Sequence, residues 1–142
     1  QVVSLINILE HIADPVILLK NIVAALPSGS HIIIEVPRHP SLSSFVNLVF
    51  PSLAYRHIHS PEHLHIFSES SLGMILSAVG AMPIALWEFG QDVTDLIFHA
   101  MTNAKVKENE FTQEIIRLAV EMQKVVDEKS MSDTLLVIAR KN

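Results

Sequence analysis

The chain has 142 residues, 49% of them apolar, no cysteine and a formal net charge of −5. This length buries a real core as one domain, and the apolar content argues against disorder. Without cysteine there is no disulfide framework, thiolate zinc site or cysteine nucleophile, the acidic balance argues against nucleic acid, and no apolar run approaches a membrane span. The lack of cysteine fits a reducing cytoplasm, and the first residues lack the basic start of a signal peptide. The chain begins with Gln1 directly at a strand, which points to a piece of a longer protein.

Residues 2–6 read as a strand buried on both faces, because Val, Leu and Ile run almost without interruption. Asp14 caps a helix whose first residue is Pro15, where the missing N–H costs nothing. Val16, Leu19, Ile22, Val23 and Leu26 fall at helical spacing and form its buried stripe. Pro27-Ser28-Gly29 turns the chain into a second buried strand at 32–36. Strand, helix and strand make a crossover unit, and ligands of such sheets sit beyond the carboxyl ends of the strands. Residues 7–11 and 37–39 lie at those ends.

Residues 37–68 form an excursion on the substrate side of the sheet, with Pro37, Pro40, Pro51, Pro61 and five of the eight histidines, and a short apolar helix at 44–50. Ser68 caps a helix over 69–79 whose Leu72, Ile75, Leu76 and Val79 face inward, closed by Gly80 in the left-handed conformation. Residues 83–89 are a strand placed near an edge by Pro83. Residues 95–101 fit a hairpin partner or a helix equally. Thr112 starts the longest helix, with Ile115, Ala119, Met122 and Val126 as its stripe, and 134–139 is the last strand. Trp87, Tyr55 and the phenylalanines are expected in the core or a pocket wall. The whole is expected to be a single partial domain over 1–142, with residues 105–131 an inserted helix.

The order of strand, Leu9-Glu10-His11, Asp14-Pro15 helix, Leu26-Pro27-Ser28-Gly29 turn, strand and Val36-Pro37 is similar to many Rossmann-like S-adenosylmethionine-dependent methyltransferases of small molecules. So is Glu62-His63-Leu64-His65-Ile66-Phe67-Ser68 leading to a helix that ends Ala78-Val79-Gly80. Ala81 stands where the family usually has Phe, and Ser30 replaces a glycine. The resemblance covers most of residues 2–90 and the last strand. It implies an α/β fold, the C-terminal half of such a sheet, mixed, with helices on its faces. The last strand would run antiparallel between the strands at Ile32 and Ile84.

The same resemblance implies S-adenosylmethionine as cofactor, bordered by Ile6, Asn7 and Leu9, with Glu10 and His11 facing the space of methyl transfer. The ubiquinone-type O-methyltransferases have Glu-x-x-Glu-His here, whereas this chain has Asn7 for the first acid. The sulfonium methyl is already activated, so the protein has only to align a nucleophile. If the acceptor is a hydroxyl, His11 is the candidate base, since imidazole titrates near neutrality. The bland alternative has Glu10 pairing locally and His11 packed under the loop. Pro37, Arg38, His59, His63 and His65 are the candidate lining of the acceptor pocket. His57, His59, His63 and His65 could instead hold zinc with Glu62, but family members carry loop histidines as pocket residues, and no metal is expected.

The four glycines, Gly29, Gly73, Gly80 and Gly90, are scattered, and none forms the G-x-G turn that lets backbone approach the cofactor. The leading reading is therefore methyl transfer to a small-molecule acceptor, in a piece that lacks the glycine loop and is inactive alone. The partners expected are that acceptor and a second copy of the chain, with no nucleic acid and no membrane. A non-catalytic oligomerisation module is the alternative, and a His-rich metal-binding hydrolase the third reading.

Overall fold

A computed structural model describes residues 1–58 and 61–142. Ten elements follow in order: β1 Val2–Ile6, a 3-10 turn Leu9–His11, α1 Pro15–Ala25, β2 His31–Pro37, α2 Leu42–Val49, α3 Glu69–Ala78, β3 Ala81–Phe89, α4 Asp92–Asn103, α5 Glu110–Glu128 and β4 Thr134–Lys141. The contacts divide the chain into two compact units. The first holds Gln1–His39, Ser60–Trp87 and Thr134–Asn142, and the second Pro40–His59 and Glu88–Asp133.

The sheet has strand order β1-β2-β4-β3. β1 lies parallel to β2, with Leu5 opposite Ile34, and β4 lies antiparallel to β2, with Ile34 opposite Val137. The last strand thus enters between β2 and β3, as the resemblance implies. Because side chains alternate along a strand, one face collects Leu5 with Ile32, Ile34, Val36, Leu135, Val137 and Ala139, all buried. Leu19 and Val23 of α1 and Leu72 and Leu76 of α3 join the same core.

The helices start where local chemistry places them. Asp14 accepts the Ile17 N–H at 2.9 Å and Pro15 occupies the first helical position. Ser41, Ser68 and Asn109 each close a reciprocal capping box, with Ser44, Ser71 and Thr112. Gly80 closes α3 at φ +80°, where a side chain would be strained.

Several expectations need correction. β1 is not buried on both faces: Leu5 alone is fully buried, while Val2 and Ile6 are exposed, because β1 is an edge strand of this sheet. Val16 is exposed and Pro15 takes its place in the α1 stripe. The short helix runs Leu42–Val49 rather than 44–50, because Ser41 caps it. The undecided residues 95–101 lie within a helix, α4. On α5 the buried positions are Thr112, Ala119 and Gln123, while Met122 is exposed. Among the described Phe, Tyr and Trp residues only Phe67 is in the core; Trp87, Tyr55, Phe45, Phe50 and Phe111 are exposed, and Phe98, also exposed, lines a surface pocket with Thr94, Ile97 and Ile116.

Candidate functional site

In the first unit the carboxyl ends of β1 and β2 meet the segment 62–67. β1 ends at Ile6, and the next residue, Asn7, has a φ of +50°, in the left-handed region that asparagine tolerates. Its N–H bonds the Glu35 carbonyl at 3.0 Å and its Nδ2 donates to Glu35 Oε1 at 3.4 Å, so the bend is tied to β2. The chain then coils through Leu9–His11. Leu9 is wholly buried in the core and anchors the turn from below. Ile6 remains exposed at the strand end.

The segment 62–67 is laced to both strand ends. The Leu64 and His65 N–H groups both donate to the Glu10 carbonyl, at 2.7 and 3.2 Å. Phe67 N–H donates to the Pro37 carbonyl and His39 N–H to the Phe67 carbonyl, at 3.0 and 2.8 Å. Phe67 itself is a core residue, which fixes the segment's far end. Pro37 and Arg38 are buried, and Arg38 Nη2 lies 3.4 Å from Glu69 Oε1.

Glu10 and His11 stand at the centre. Glu10 is fully buried, and neither carboxylate oxygen has a hydrogen-bond partner. His11 is exposed; its Nδ1 lies 2.7 Å from the Glu62 carbonyl oxygen. A carbonyl only accepts, so Nδ1 carries the proton and Nε2 holds the lone pair of the neutral ring. That Nε2 lies 3.8 Å from Glu10 Oε1. His63 packs its ring edge-on to His11, with centroids 4.8 Å apart. His65 stands apart, its ring 6.1 Å from that of Phe67.

Of the residues read from the sequence, the structure thus gathers Ile6, Asn7, Leu9, Glu10, His11, Pro37, Arg38, His63 and His65 at one end of the first unit's sheet. His59 lies outside the described residues. His57 belongs to the second unit, 3.6 Å from Asp133. Ile6 offers exposed apolar surface at the strand end and Asn7 a bend beside it. The 142 residues hold no G-x-G turn.

The second unit carries a buried cluster that the sequence did not announce. Asp92 and Asp133 are both almost inaccessible. Asp92 accepts N–H groups from Ser43 and Asp133 at 2.9 and 3.0 Å, and Gln123 Nε2 at 3.3 Å. Asp133 faces Arg56 at 3.7 Å and His57 at 3.6 Å. Burial first, and then the Asp133 charge, push the Asp92 carboxyl above its ordinary value despite its donors. Burial would raise Asp133 too, but the nearby His57 ring, Arg56 and the Gln91 N–H together hold it below its ordinary value. Gly90 passes so close that a Cβ there would collide with both carboxylates.

Comparison with known proteins agrees with this geometry. The family described as "Methyltransferase domain" matches residues 1–86. No curated protein matches the chain. Among solved structures, a SAM-dependent methyltransferase from Archaeoglobus fulgidus is similar at 24% identity and a TM-score of 0.55, over 99% of this chain and 58% of that one. A mycolic acid cyclopropane synthase, solved with SAH and CTAB, is similar at 12% identity and a TM-score of 0.59, over 99% and 55%. A putative sarcosine dimethylglycine methyltransferase from Galdieria sulphuraria is similar at 9% identity and a TM-score of 0.53, over 99% and 52%. At these identities the likeness concerns the fold, and the chain spans little more than half the length of these structures. With the match running through β1, the Glu10–His11 turn, β2 and the segment 62–67, the chain belongs to the methyltransferase domain family and has its class I fold.

Proposed function

We propose that these residues are the acceptor-side half of a domain that transfers a methyl group from S-adenosylmethionine to a small-molecule acceptor. The observation that carries this is the convergence of two strand ends and the segment 62–67 on Glu10 and His11, where a sheet of this class takes its ligands. The membership of the family and the SAH held by the cyclopropane synthase support the cofactor.

When bound, the cofactor supplies an activated methyl on a sulfonium. This chain's residues would border and orient. Ile6 and Asn7 bound the methyl end of the cofactor, with Leu9 holding the turn beneath them. Pro37, Arg38, His63 and His65 shape the acceptor side. His11 accepts the acceptor's proton at Nε2, because the Glu62 carbonyl holds its other proton at Nδ1. Glu10 Oε1 lies 3.8 Å from that Nε2.

Two measurements test the reading. The whole protein carrying these residues should bind S-adenosylhomocysteine in a calorimetric titration, while residues 1–142 alone should give no heat, for want of the glycine turn. Micromolar binding by the isolated residues would overturn their dependence on the missing half. In the whole protein, His11→Gln should lower kcat for methyl transfer by about 10²–10⁴-fold with the KM for S-adenosylmethionine unchanged. Undiminished turnover would remove the base role.

A further inference from the structure

Glu10 has an unusual environment for a carboxylate. Its side chain is fully buried, yet neither oxygen accepts a hydrogen bond. A carboxylate withdrawn from water without donors is costly unless a proton or a cation neutralises it. Two imidazoles stand beside it. One donor atom from each of Glu10, His11 and His63 lies within 4.8 Å of the other two. Donors about 2.1 Å from a tetrahedral ion are about 3.4 Å from one another, so the set would draw in by roughly an ångström at its widest to close on an ion.

The second layer is arranged as a metal site needs it. His11 donates Nδ1–H to the Glu62 carbonyl at 2.7 Å, which leaves Nε2 as the ligand atom and fixes the ring's orientation. The Glu10 main chain is held by the Leu64 and His65 N–H groups, which also tether the residues flanking His63. The donor chemistry narrows the ion. Magnesium and calcium take oxygen ligands, whereas two imidazoles and one carboxylate suit zinc and other first-row transition metals, among which zinc takes three such ligands and one open position. Three protein ligands leave a fourth position, and the exposure of His11 places it toward solvent.

We propose that Glu10, His11 and His63 bind one zinc ion with an open fourth position. This goes beyond the methyl-transfer reading and does not depend on it. It replaces the four-histidine set considered from the sequence, since His57 lies beside Asp133 in the other unit. Zinc would occupy the Nε2 lone pair that the base role needs, so the two roles are alternatives at one atom.

The test is metal content and affinity, measured without any activity assay. The whole protein, purified without a metal-affinity tag, is titrated with zinc in competition with a chromophoric chelator, and the cobalt-substituted protein is examined by visible absorption. The expected result is one zinc per chain, a tetrahedral cobalt spectrum, and affinity reduced at least tenfold by Glu10→Gln and by His63→Asn. His39→Asn, at an exposed histidine outside the set, should leave the affinity unchanged. Thermal melts without zinc check that each variant folds. Zinc binding that survives Glu10→Gln and His63→Asn, or no stoichiometric zinc at all, overturns the proposal. Either failure leaves the S-adenosylhomocysteine titration unaffected.

Discussion

Asp133 shows how much one side chain can hold in a small unit. It is buried, and the net effect of its neighbours is to keep it ionised despite that burial. A folded-state value below the ordinary one stabilises the fold above the unfolded value, and that stability is lost as pH falls through the folded value. Asp92 is shifted the opposite way, so its contribution is present in acid and is lost as pH rises through its raised value. Asp133→Asn should therefore cost about 3 kcal/mol near neutrality. The deficit should shrink below the carboxylate range, where the wild type loses the same charge. Urea unfolding at pH 7 and pH 3 measures both, and an equal deficit at the two pH values would show that shape rather than charge is at stake. Gly90→Ala should also destabilise, by about 1–3 kcal/mol, because its methyl meets both carboxylates. None of this was legible in the sequence. Asp92, Gln123 and Ser43 come from three helices, and no local pattern announces that they will meet. The Leu9-Glu10-His11 motif was legible, but the burial of Glu10 and the approach of His63 were not, since both depend on how residues 62–67 are laced to the strand ends.

At the scale of elements, sequence pattern located nearly every helix and strand and erred at their edges. Asp14-Pro15 and Ser68 marked helix starts because their chemistry is local. Ser41 and Asn109 were missed although their boxes, closed by Ser44 and Thr112, are built like that of Ser68 and Ser71. Ser68→Ala removes the oxygen that accepts the Ser71 N–H at 3.1 Å and should cost about 1 kcal/mol in urea unfolding. A loss near zero would mean that water replaces the cap. Helix α4 was left undecided because residues 95–101 alone are too short a window to show a period; over the whole element Val93, Leu96, Ile97, Ala100 and Met101 fall at helical spacing, and it packs against α5 in the second unit. The continuous apolar run of β1 reads as interior, yet composition cannot say whether a neighbour is present to cover it.

For the molecule as a whole, the pairing of β4 with β2 is the least local feature. Pro37 lies opposite Thr134 across a long stretch of sequence. No periodicity predicts such a pairing; it was legible only through the ordered motifs that place the chain in its family. The two units lie interleaved along the chain, with residues 88–133 running from the end of β3 to the start of β4. No helix among the described residues is long and apolar enough to cross a membrane.

The paired hydrogen bonds on the Glu10 carbonyl have a consequence for solvent exchange. The amide protons of Leu64 and His65 share one acceptor, so whatever lifts residues 62–67 from the turn exposes both together. In deuterated solvent they should exchange as a pair, at a rate that counts such openings. A ligand seated on Glu10 and His63 would slow both in step, while the Asn142 amide, bonded to the Gly80 carbonyl at 3.1 Å, keeps its own time.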